Sequence, residues 1–112
     1  MKKSIVIFLA FSFVSLSAFA ETLNEKVARN TANCLAGHVA TNSPMYQSGE
    51  TSKYLAVLEK AVGSENTAKY FEDAVKKLKS AVRMLGSTPD EEGAFLIKKF
   101  CPAVDQIINR GE

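Results

Sequence analysis

Residues 65–85 read ENTAKYFEDAVKKLKSAVRML, and this stretch decides the fold class. Phe71, Ala74 with Val75, Leu78, Ala81 with Val82, and Leu85 recur at spacings of three and four. That is the period of a helix with one apolar stripe; a half-buried strand would alternate with a period of two. Glu72 with Lys76, and Asp73 with Lys77, stand four apart with the acid first, the orientation that supports a helix. Gly86 follows the last apolar residue and suits a left-handed C-cap.

The neighbouring segments read the same way. Ser64 is placed to cap this helix, and Gly63 to stop the one before it. That preceding helix runs from about Thr51 to Val62, with Tyr54, Leu55, Leu58 and Ala61 on one side. Downstream, Thr88-Pro89-Asp90-Glu91 is a strong start signal: an N-cap threonine, proline at the first helical position, and glutamate three after the cap. Asp90, Glu91 and Glu92 also sit where the helix dipole favours acids. The helix they open is the most apolar of all. Phe95, Leu96, Ile97, Phe100, Val104 and Ile107 spread over an arc too wide for one contact, which predicts that this helix is the central one. Pro102 predicts a kink or a split near Phe100–Cys101.

At the other end, Thr22 followed by Glu25 is a capping-box signature for a helix from about Leu23 to Thr41. Its semi-apolar face carries Val27, Thr31, Cys34, Leu35 and His38. Asn42-Ser43-Pro44 stops it, because proline disfavours helix at the residue before it. A loop to about Gly49 then carries Met45 and Tyr46. No stretch alternates apolar and polar residues. The expected fold is therefore all-α, a small antiparallel four-helix bundle with short connections.

Residues 1–20 have another character. Met1-Lys2-Lys3 is followed by an apolar run from Ile5 to Leu16 and by Ala18-Phe19-Ala20, the three parts of a secretory signal peptide. The apolar run is about 12 residues, short of the roughly 20 that span a membrane. Cleavage after Ala20 is expected to leave residues 21–112 as a single helical domain. It removes Lys2 and Lys3, and with them the formal charge of +2 of the whole chain. The working domain is then formally neutral, which argues against nucleic acid or an anionic membrane as a partner.

Two cysteines occur, Cys34 and Cys101. In an exported chain such a pair points to one disulfide. Cys34 lies about as far into the first helix as Cys101 lies into the last, so in an antiparallel pair their depths coincide. Bridged Cα atoms lie about 5.5 Å apart, closer than packed helix axes at about 8–10 Å. Gly37, one turn beyond Cys34, permits that approach.

Catalytic and cofactor chemistry find little support. His38 is the single histidine, one turn after Cys34, and a cysteine–histidine nucleophile would need a free thiol. One histidine, scattered carboxylates and an oxidised cysteine pair match no zinc or calcium spacing. A haem held by His38 with Met84 or Met45 is only nominally available. No catalytic residue, cofactor or metal is expected. Lys76, Lys77, Lys79 and Arg83 read mainly as a solvated helix face. Met45, Tyr46, Tyr54 and Tyr70 are candidate anchors for protein recognition.

In outline the chain is similar to two groups of exported helical proteins. The length, leader and single cysteine pair resemble the periplasmic acid-stress chaperones. Asn33-Cys34-Leu35 in the first helix and Phe100-Cys101-Pro102 late in the chain resemble the periplasmic immunity proteins that neutralise cell-wall amidases. The second resemblance implies a surface that binds one protein. The leading expectation is a non-enzymatic periplasmic protein acting by protein–protein binding, inhibitor or immunity in type. A chaperone of acid or envelope stress, or a carrier of a small ligand or lipid, stands as the alternative.

Overall fold

Thr22 starts the first helix as its spacing from Glu25 requires. The Thr22 hydroxyl accepts the Glu25 N–H at 3.1 Å, and the Glu25 carboxylate accepts the Thr22 N–H at 2.9 Å. The computed structural model describes residues 21–111, so the expected leader at 1–20 lies outside the described residues. Five helices follow in order: α1 Leu23–Thr41, α2 Pro44–Ser48, α3 Ser52–Val62, α4 Ser64–Leu85 and α5 Pro89–Asn109. The four long ones form the all-α antiparallel bundle, with no strand among the described residues. Thr88 and Glu91 close a second reciprocal capping box at the start of α5.

Three local expectations are corrected. The segment after Pro44 is a one-turn helix, because Ser43 accepts the Tyr46 N–H and Pro44 serves as the first helical residue. Ser64 is the first residue of α4; Gly63, at φ +87°, occupies the cap position without a side-chain hydrogen bond. Of the kink or split expected at Pro102, the split does not occur: α5 runs unbroken through it. Pro102 and Lys98, whose carbonyl loses its helical donor, both lie on the exposed side, where water can take that donor's place.

The larger correction concerns the centre of the bundle. α1 packs against every other helix, while the apolar α5 lies against it from one side. Size decides this, more than hydrophobicity. Ala28, Ala32 and Ala36 form a strip of small side chains that lets Leu58 of α3 and Ala74 of α4 close onto α1. Around the next face Cys34 and Leu35 meet Tyr54 and Val57 of α3 and Cys101 and Val104 of α5. Residues 31–38 of α1 are all buried, whereas α5 buries only Gly93, Cys101 and Val104. Phe95 is left 54% exposed. Leu85, read from the stripe as core, is 71% exposed, because α4 buries nothing beyond Leu78 and its last turn lies outside the packed part.

The disulfide between Cys34 and Cys101 joins α1 to α5, with Cα atoms 4.9 Å apart. The two backbones come this close because glycines face one another one turn or more away. A methyl group on Gly37 would sit 2.7 Å from the Gly93 carbonyl oxygen. Gly37 was legible as the permissive residue; its counterpart Gly93 was not.

Candidate functional site

Below the disulfide, α1 ends in a left-handed turn at Asn42, φ +48°, which folds Ser43 back so that its N–H reaches the His38 carbonyl at 3.1 Å. The same turn brings Ser43 Oγ to within 2.7 Å of His38 Nδ1. Ser43 thus caps α2 and fixes the histidine ring together. The other ring nitrogen, Nε2, is buried and has no hydrogen-bond partner. The ring stacks on Tyr54 of α3, with centroids 5.5 Å apart and planes 19° from parallel. The Tyr54 hydroxyl in turn donates to Asp105 Oδ1 of α5 at 2.7 Å. A polar chain, Ser43–His38–Tyr54–Asp105, therefore runs across three of the long helices and the short one.

Burial governs the electrostatics. It lowers the His38 pKa below the usual histidine value by disfavouring the cation; Asp105 opposes the shift and Lys53 reinforces it. The Tyr54 phenol is pushed well above its usual value, first by burial and then by its hydrogen bond to the Asp105 carboxylate. Both rings are neutral near pH 7. Tyr54, read from the sequence as a recognition anchor, is 1% exposed and is a core residue. Met84, weighed as a haem ligand, is 84% exposed in the last turn of α4 and does not face the core with His38.

Cys34 and Cys101 meet as expected, and the fold adds His38 to them. Its ring nitrogen and the two sulfur atoms all lie within 4.8 Å of one another. As the structure stands the cysteines are bonded to each other, so no thiol is available there for nucleophilic chemistry.

The surface has its own feature, an open groove of about 650 Å³ between α1, α3 and α4, with α2 at one edge. Leu35 and Val39 form its floor from α1, Phe71 one wall, and Leu55 and Tyr46 the rim, 39% and 42% exposed. Glu59 is the one charged side chain among the described residues that line it. Periodicity could not reveal this groove, because Tyr46 reaches it only through the unforeseen helix α2. The Lys76, Lys77, Lys79 and Arg83 side chains are exposed on α4 and away from the groove lining. Neither of the sequence-read pairs Glu72–Lys76 and Asp73–Lys77 closes; among the described residues the ion pair formed is Glu21–Arg29, at 2.8 Å.

The chain matches no protein-family model, no curated protein and no solved structure significantly. The buried polar chain links α1, α3 and α5, and the groove is a mostly apolar depression in the surface.

Proposed function

We propose that this chain is a small exported protein that acts by binding another protein, in the manner of an inhibitor or immunity protein. The observation that carries this reading is the groove between α1, α3 and α4. Its lining is mostly apolar, its rim offers an aromatic and a branched aliphatic side chain, and its floor belongs to the helix with the most buried residues. Such a depression takes an apolar anchor from a partner segment, and Glu59 at its side favours a segment that also carries a lysine or arginine. The disulfide and the basic-then-apolar start of the chain support an oxidising compartment such as the periplasm.

The test begins with the immobilised protein in envelope extract, comparing wild type with Leu55→Asp and Tyr46→Ala. A protein held by wild type and released by both variants is then purified and titrated by calorimetry. One-to-one binding, weakened at least tenfold by Leu55→Asp and measurably by Glu59→Gln, supports the reading. Equal affinity of the groove variants overturns it. So does a small molecule or lipid retained in the groove by native mass spectrometry, or binding of many unfolded clients near pH 3.

A further inference from the structure

We propose that the dithiol form of this chain binds a thiophilic cation of the Zn²⁺ class through Cys34 Sγ, Cys101 Sγ and His38 Nε2. Every chain is synthesised with its cysteines as thiols, so this form precedes the disulfide and needs no reductant. Three ligating groups already converge within 4.8 Å in the folded protein. Two of them, Cys34 and His38, stand one turn apart on α1, and the third comes from α5. Two sulfurs and one imidazole form a donor set that favours Zn²⁺ or Cu⁺ over the oxygen-seeking Mg²⁺ and Ca²⁺.

An independent observation points the same way. His38 is 95% buried, yet Nε2 has no partner. With Nδ1 held by Ser43, Nε2 is the nitrogen left for an ion, and Ser43 is placed as the outer residue that orients a ligating histidine. Thiolates on one tetrahedral Zn²⁺ lie about 3.8 Å apart, from Zn–S bonds of about 2.3 Å. Cα atoms 4.9 Å apart accommodate that by rotation of the cysteine side chains.

The balance is simple. Each thiol loses a proton as its sulfur binds, the imidazole contributes a lone pair, and no electrons are transferred, so two protons leave per ion. In the disulfide both sulfurs are consumed by the bond between them. Metal binding and the disulfide are therefore mutually exclusive states of one pair of residues.

The experiment compares oxidised protein with protein reduced by a phosphine, which brings no competing thiol. Zn²⁺ is the probe in native mass spectrometry and titration, and Co²⁺ the spectroscopic substitute. One Zn²⁺ per reduced chain, none per oxidised chain, thiolate-to-Co²⁺ charge-transfer bands and a gain of helicity on Zn²⁺ addition are expected. His38→Gln should weaken binding at least tenfold and shift the Co²⁺ spectrum. Ser43→Ala, which leaves all three ligands in place, should weaken it several-fold and serves if His38→Gln fails to fold. The proposal is overturned if reduced protein takes up no Zn²⁺, if oxidised protein takes up as much, or if both variants bind as wild type does.

Discussion

Gly37 of α1 and Gly93 of α5 face each other so closely that a methyl group on either would meet the other's carbonyl oxygen, at 2.7 Å and 2.9 Å. Both lie within helices, where alanine is intrinsically better than glycine by about 1 kcal/mol. Packing reverses that preference here. The two carbonyl oxygens are backbone and cannot rotate away, a methyl on Gly93 would also meet the Thr41 methyl at 2.8 Å, and separating the helices would pull on the disulfide.

Gly37→Ala and Gly93→Ala should therefore each destabilise the protein, by up to about 2 kcal/mol net, the usual overpacking cost of about 1–3 kcal/mol less the helix-propensity gain of about 1 kcal/mol. Thermal unfolding monitored by circular dichroism checks this. A rise in Tm, as propensity alone dictates, would show that the helices do not approach as described.

His38 gives the stability a pH dependence of known sign. Its folded pKa is lowered below the unfolded value of about 6.5, so the unfolded chain binds the proton more readily. The stabilisation is complete above about pH 6.5 and is lost as pH falls below it, by at most about 1.4 kcal/mol per pH unit. Tm should fall between pH 7 and pH 5, and His38→Gln should flatten that slope whatever it does to the absolute Tm. An equal slope in the variant would remove His38 as its source.

Removing the disulfide with Cys34→Ser and Cys101→Ser should leave a helical domain less stable by about 2–5 kcal/mol. The cross-link spans 67 positions, and the core it secures contains many small side chains. Denaturant unfolding of the double variant measures the loss. An unchanged midpoint would mean that the bond contributes nothing to stability.

The features that were legible in the sequence are local or depend on depth along a helix. Thr22 with Glu25 and Thr88 with Glu91 announce their helix starts within four residues, and the matched positions of Cys34 and Cys101 foretell their bond. The features that were not legible depend on size or on distant partners. Ala28, Ala32, Ala36 and Gly37 make α1 the centre because they are small, and a hydrophobicity stripe undervalues them beside the phenylalanines of α5. Pro44 was read as a stop signal, although the same residue begins α2. His38 acquires its setting from Ser43, Tyr54 and Asp105, and no spacing rule links the last two to it. The groove was hidden for the same reason: its rim is assembled from α2 and α3, and its floor from α1.

All of these features rest on α1 as the helix against which the others are built, since it carries the groove floor, the disulfide and His38. Native-state hydrogen exchange tests that claim most directly, because amides that open only by global unfolding mark the best-protected element. The slowest amides should lie in α1 between Ala32 and His38, exchanging at the free energy of global unfolding. Faster exchange there than in the middle of α5 would contradict the account and return the centre of the bundle to its most apolar helix.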